Sequence, residues 1–188
     1  MKILYIISKF LTFPGAYIRS FWEHLICRCI KVTIEPTGYL RADEACGHVE
    51  HGLAKKPFGA YILATLPGFL TFNMGLAFFL LGFMNLEYMG ITFYDSKPLF
   101  IAYAVILYLG ISLLCSVFPL CEDILNYWDM AYSKTGKVKA HGVLRVFQFI
   151  FRIIVFIPAL ITRIGAFLER YCIIFLLWVA FVVLMIVK

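Results

Sequence analysis

The chain has 188 residues, of which 63% are hydrophobic and only 15% are charged, and its mean hydropathy is +0.90. A soluble domain of this length carries about 25% charged residues, so the composition excludes an ordinary soluble fold and indicates an integral membrane protein. Lysine and arginine outnumber aspartate and glutamate by 17 to 11. In membrane proteins such an excess gathers on the cytoplasmic side. No basic run with interleaved aromatic residues occurs, so nucleic acid is not an expected partner.

Residues 1–31 predict an amphipathic helix rather than a membrane span. Charged side chains interrupt the apolar residues, and the polar positions recur along one helical face. We expect this helix to break at Pro14 and Gly15 and to lie in the cytoplasmic membrane interface. A cytoplasmic polar segment follows over 32–56. Within it, alternating β-forming residues around a Glu-Pro-Thr-Gly turn predict a small β-hairpin over 31–41.

A polar island at residues 43–51 precedes the first long apolar stretch and reads Asp-Glu-Ala-Cys-Gly-His-Val-Glu-His. On a helix, His48 and His51 would share a face, and both could bind one metal ion. Cys46 could add a thiolate if the backbone turns at Gly47. A structural role is favoured over a metal site, because polar residues just outside a membrane span often only hydrogen-bond or pair with neighbouring ions. Proton handling is a third alternative.

Three uncharged stretches predict transmembrane helices, at residues 57–86, 98–121 and 171–187. Pro67 should kink the first of them, and Asn73 should face protein rather than lipid. The loop between the first two carries more acidic than basic residues, whereas 1–56 and 122–145 are rich in lysine and arginine. The positive-inside rule therefore places these two segments in the cytoplasm. The best distant metal ligands, on the same side, are Cys121, Glu122 and Asp123.

Residues 143–170 predict a helix with an arginine stripe. Its four arginines are spaced 7, 11 and 7 residues apart and return to one helical face. They are Arg145, Arg152, Arg163 and Arg170. The pattern favours an interfacial helix whose arginines reach lipid phosphates, or a contact with an acidic partner or an anionic headgroup. A fourth, tilted span over 146–162 is a further interpretation.

The order of these features resembles that of site-2-type intramembrane metalloproteases, over roughly residues 45–126. That family has a His-Glu-x-x-His zinc motif, then a helix with a Gly-Pro-x-x-Asn-like element, then a turn with an aspartate ligand. The matching segments here are His48-Val-Glu-His51, Leu66-Pro67-Gly68 with Asn73, and Phe118-Pro119-Leu-Cys-Glu-Asp123. The resemblance implies zinc ligands at His48, His51 and Asp123. Because Val49 replaces the motif's glutamate and the histidines are three apart instead of four, it implies a divergent, inactive relative.

Taken together, the sequence predicts a single all-α membrane domain with three or four transmembrane helices, amphipathic interfacial helices and one β-hairpin. The absence of a complete catalytic set favours a non-catalytic structural or accessory subunit, in contact with lipids and other membrane subunits. The alternative is a zinc-dependent membrane hydrolase of the site-2 type, and the expected cofactor is accordingly none or zinc. A channel or transporter component has only Asn73 and the prolines in its support.

Overall fold

The computed structural model describes residues 2–36, 38–42, 46–94, 96–132 and 143–187. Within them every regular element is helical, so the prediction of an all-α protein is confirmed. The helices are α1 (Lys2–Leu11), α2 (Phe13–Ile30), α3 (Pro57–Phe83), α4 (Lys97–Leu114), α5 (Cys121–Tyr132), α6 (Val143–Arg170) and α7 (Ile173–Val187). A π-helical turn, Met84–Tyr88, extends α3.

Three helices are long and apolar enough to cross a membrane, namely Pro57–Tyr88, Lys97–Leu114 and Arg145–Arg170. The first two correspond to predicted spans, but α4 ends at Leu114 rather than at residue 121. The helix stops before Pro119 because a proline disfavours helical backbone in the residue that precedes it, here Phe118. The chain therefore has the helices of a membrane protein, with an irregular segment between α4 and α5.

The third long helix is α6, not the predicted span at 171–187. The corresponding helix α7 has only 15 residues. At 1.5 Å per residue it extends ~22 Å, short of the ~30 Å hydrocarbon core. α6, in contrast, has 28 residues and runs without interruption through Pro158. The left-handed residue Cys172 separates the two helices.

α3 and α4 form the most extensive helix–helix contact of the described chain. α3 continues through Pro67, whose carbonyl oxygen accepts a hydrogen bond from the Thr71 hydroxyl at 2.8 Å. Asn73 differs from the expectation, since its side chain is exposed on the outer surface. Its amide donates to the Phe69 carbonyl at 2.7 Å, so the polar group is satisfied on its own helix.

The predicted β-hairpin over 31–41 is wrong for the residues that the structure describes. Ile34 instead forms an isolated antiparallel bridge with His51. Two backbone hydrogen bonds of 2.9 Å flank the bridge, from Glu35 N to the Glu50 carbonyl and from Gly52 N to the Thr33 carbonyl. Residues 49–51 of the polar island are thus extended rather than helical, because their backbone pairs with residues 33–35.

The polar face of α2 points inward. Its buried residues include Ala16, Arg19, Ser20, Glu23 and Cys27, and this face packs against α3 and α4. The break between α1 and α2 falls at Thr12 rather than at Pro14 and Gly15. Pro14 lies in the first turn of α2, where its missing N–H has no helical partner to lose. An interfacial helix would direct its polar face to water, and α2 does the opposite.

Candidate metal centre

Three buried side chains from separate parts of the chain converge beneath α2. They are Glu23 of α2, His51 of the polar island and Asp123 in the first turn of α5. The His51 Nε2 atom lies 3.7 Å from Glu23 Oε1 and 3.5 Å from Asp123 Oδ1. These separations are too long for hydrogen bonds. They match the ~3.4 Å between neighbouring ligand atoms of a tetrahedral ion with bonds of ~2.1 Å.

Neighbouring groups orient these ligand atoms. The backbone N–H of Val49 donates to Glu23 Oε2 at 3.2 Å, and His48 Nδ1 lies 3.3 Å from the same oxygen. The other oxygen, Oε1, has no hydrogen-bond partner among the described residues. His51 Nδ1 lies 2.9 Å from the Gly52 carbonyl, to which it donates, so Nε2 is directed at the two carboxylates. Outer contacts that fix a ligand and leave its donor atom free are the usual support of a metal site.

The local backbone explains how these residues meet. Glu23 follows Arg19 by one helical turn, and both lie on the buried face of α2. Gly47 has a φ of +82°, a left-handed conformation that turns the island toward α2. An added Cβ at Gly47 would lie 3.0 Å from that of Ala16, so the turn also packs tightly on the helix. Asp123 joins the cluster from the first turn of α5, which begins immediately after the segment that contains Pro119.

The charges of the cluster balance when His51 carries a proton. Burial lowers the pKa of His51, but interactions with Asp123 and Glu23 more than offset this and raise it to about 11. Arg19 is fully buried nearby, and none of its guanidinium nitrogens has a hydrogen-bond partner in the described part of the chain. The two cations therefore match the two carboxylates. A divalent ion would have to displace the proton of His51, since only the neutral imidazole binds metal.

A cavity of about 870 Å³ adjoins the cluster. His51 and Asp123 form part of its wall, and Glu169 and Arg170 at the end of α6 form another part. The volume falls within the range of small-molecule sites. An ion held by His51 and Asp123 would thus border a space large enough for a substrate.

The structure brings together two of the predicted ligands, His51 and Asp123. His48 contacts the opposite oxygen of Glu23 and is outside the group of three. Cys46 packs with Tyr5 and Cys172, and the Cys121 thiol donates to the Ala166 carbonyl at 3.5 Å. The described residues contain no disulfide bond. Residues 43–45 of the island lie outside the described residues.

Sequence reasoning missed Glu23. The available signal was a pair of opposite charges, Arg19 and Glu23, one turn apart in a helix that is otherwise largely apolar. We interpreted them as the water-facing side of an interfacial helix, and only their burial shows the reverse.

The four arginines of the stripe on α6 lie in different surroundings. Arg145 is exposed and Arg152 is half-buried. The Arg163 guanidinium lies 4.8 Å from the centre of the Trp128 ring on α5, and Arg170 lines the cavity. At least the last two arginines therefore face protein groups of this chain.

Comparison of the chain with protein-family models, curated proteins and solved structures finds no match. The class of protein therefore rests on the fold: the described part of the chain is all-α and has three helices long and apolar enough to span a membrane. The resemblance to site-2-type metalloproteases stays a prediction.

Proposed function

We propose that this integral membrane protein binds a divalent metal ion, best matched by zinc, through Glu23, His51 and Asp123. One observation carries the proposal: His51 Nε2 lies 3.7 Å from Glu23 Oε1 and 3.5 Å from Asp123 Oδ1, close to the spacing of neighbouring ligands around a tetrahedral ion. Within the described residues, His51 Nε2 and Glu23 Oε1 have no hydrogen-bond partner. Nitrogen and carboxylate ligands suit zinc, and three protein ligands with one open position are typical of catalytic zinc sites.

The activity that this arrangement supports best is metal-dependent hydrolysis in the adjoining cavity. Zinc with an open position supplies a bound water of lowered pKa and polarises a substrate carbonyl. Three further carboxylates line the cavity. Glu50 pairs with Arg41 at 2.6 Å and Glu169 pairs with Lys9, whereas Glu122 is exposed beside Asp123. Glu122 is therefore our candidate for the group that accepts a proton during hydrolysis.

The charge distribution supports a location of the site on the cytoplasmic side of the membrane. Residues 1–56 and 122–145 contain most of the lysine and arginine, and the positive-inside rule assigns such segments to that side. All three proposed ligands belong to these segments. The substrate would then reach the cavity from the cytoplasm or from the inner leaflet.

The metal content of the purified full-length protein tests the proposal. After loading with zinc in mild detergent at neutral pH and removal of free metal, we expect about one zinc per chain by elemental analysis. Glu23→Gln, His51→Ala and Asp123→Asn should each lose it. Glu122→Gln should keep the zinc but lose hydrolysis of a labelled transmembrane peptide. Metal well below one equivalent in the folded wild type would sink the proposal.

A second candidate function is a non-catalytic subunit in which the same cluster only holds the fold. The charge balance among Arg19, protonated His51 and the two carboxylates favours it, because the cluster is neutral without a metal. In that case Arg145 and Arg152 would contact lipid headgroups or acidic partner subunits. Arg145→Glu and Arg152→Glu would then weaken co-purification of partners in mild detergent. Arg163→Glu should leave co-purification unchanged, because Arg163 contacts Trp128 of this chain. Unchanged co-purification would count against this role of the stripe.

A further inference from the structure

The outer face of α2 is apolar although the helix contains several charged residues. Tyr17, Phe21 and Leu25 follow one another at intervals of four, so they form one face of the helix. They are 55%, 49% and 44% exposed, whereas Arg19 and Glu23 on the opposite face are fully buried. A helix with its polar side inside and its apolar side outside does not match a water-facing or interfacial location.

α2 also runs alongside α3 over most of its length. Near its start, the Gly15 backbone N–H donates to the Ser112 hydroxyl at 2.8 Å. An added Cβ on Gly15 would lie 2.0 Å from the Ser112 carbonyl oxygen, so the two backbones touch. Leu113, the next residue of α4, lies against Gly75 of α3. The start of α2 is therefore level with Gly75.

The other end of α2 is level with the beginning of α3, since Cys27 packs with Leu63. From Gly15 to Cys27 and from Gly75 to Leu63 are both twelve residues, a rise of ~18 Å at 1.5 Å per residue. Equal rises between matched ends mean that the two helices are aligned. Gly75 lies near the middle of the apolar helix Pro57–Tyr88, so α2 begins near the middle of that span.

We infer that α2 is embedded in the bilayer, where Tyr17, Phe21 and Leu25 contact lipid acyl chains. At the same level, α3 also exposes apolar side chains, which include Phe69 and Phe72. A spanning α3 must present that surface to lipid, and α2 beside it shares the same surroundings. The charged residues of α2 lower its mean hydropathy although they point inward. Hydropathy along the sequence therefore does not identify α2 as a membrane segment.

The consequence concerns the depth of the ionic cluster. Glu23 follows Gly15 by eight residues, or ~12 Å, which leaves it within the ~15 Å half-thickness of the hydrocarbon core. Arg28 in the last turn is exposed and lies where a long side chain reaches the headgroups. The inference stands without any bound metal, because it depends only on the orientation and surroundings of α2.

Depth-dependent fluorescence quenching tests this placement in reconstituted full-length protein. In a background of W22F, W128F and W178F, a single tryptophan is placed at Tyr17, Phe21 or Leu25. Vesicles contain phosphatidylcholine brominated either near the acyl-chain end or near the headgroup. We expect Tyr17→Trp to be quenched most by the deep bromines and Leu25→Trp by the shallow ones, over a difference of ~12 Å. Phe69→Trp on α3 is the matched control and should report the depth of Phe21→Trp.

Two outcomes would overturn the inference. Equal, shallow depths for all three positions would place α2 flat in the interface. Little quenching at any depth, with normal quenching of Phe69→Trp, would mean that a protein partner or a second copy covers the face. If the new tryptophans prevent folding, the native Trp22 in a W128F and W178F background provides the same comparison with Phe69→Trp.

Discussion

Two buried ion clusters border the same cavity, and they differ in how completely their polar atoms are paired. In one, Lys9 of α1 pairs with Oε1 of Glu169, at the end of α6. The second oxygen of Glu169 accepts the backbone N–H of Phe118 at 3.0 Å. Both carboxylate oxygens are thus used, and the pair joins α1 and α6 to the segment that leads into α5.

The other cluster, Glu23 with His51 and Asp123, leaves several atoms unused. Among the residues that the structure describes, no group forms a hydrogen bond with Glu23 Oε1, His51 Nε2 or Asp123 Oδ2. Unpaired buried polar atoms cost free energy, so their presence calls for a further ligand or a function. The saturated pair therefore fits a role in holding the fold, whereas the unsaturated cluster has the free ligand atoms that the proposed metal site requires.

The largest effect is expected from breaking the saturated pair. Lys9→Met leaves the Glu169 carboxylate buried without a cation, and the free energy of unfolding should fall by ~3–5 kcal/mol. Denaturant titration in detergent, followed by circular dichroism, measures it. Adding Glu169→Gln should restore most of the loss, and Lys31→Met, at an exposed lysine, is the matched control. If Lys9→Met is as stable as the wild type, the Lys9–Glu169 pair does not stabilise the fold.

Metal removal should have a smaller effect, confined to the unsaturated cluster. With free zinc at 100 times its Kd, chelation should lower the free energy of unfolding by ~2.7 kcal/mol. Asp123→Asn should show no response to the chelator. Lys9→Met should still respond, because its cluster is separate. A response that survives in Asp123→Asn would assign the zinc to another site.

Loss of His48 should weaken zinc binding without abolishing it. This ring lies against Glu23 Oε2 and helps to orient the carboxylate. We expect His48→Ala to lower zinc affinity ~10- to 100-fold, as removal of outer-shell partners does elsewhere. Competition with a chelating dye measures the change, and Cys121→Ser serves as the control that should match the wild type. A complete loss of zinc in His48→Ala would instead make His48 a direct ligand.

The smallest expected effect is the release of a proton when zinc binds to the unsaturated cluster. Because the pKa of His51 is raised above its unfolded value, to about 11, its proton stabilises the metal-free fold at neutral pH. That contribution would disappear as the pH rises through the folded pKa. Zinc binding at pH ~7.5 should therefore release about one proton per ion, measurable by calorimetry in buffers of different ionisation enthalpy. Zinc uptake with no proton release would mean that His51 is neutral beforehand.

Sequence reasoning succeeded where the signal was local. The uncharged runs predicted α3 and α4, because a long apolar stretch must form its backbone hydrogen bonds internally in lipid. It also selected His51 and Asp123, which the structure brings together, although their role as metal ligands stays a prediction. It was wrong about the hairpin, because the partner of Ile34 is His51 and not a residue across the local turn.

The sequence by itself determined the class of protein, since composition and the length of apolar runs select a helical membrane fold. Only the tertiary structure decided which way α2 faces and that Glu23 joins His51 and Asp123. The helical period of polar residues defines a face of α2 but not its direction. That direction follows from packing against α3 and α4, which buries Arg19 and Glu23 and leaves the apolar face outside.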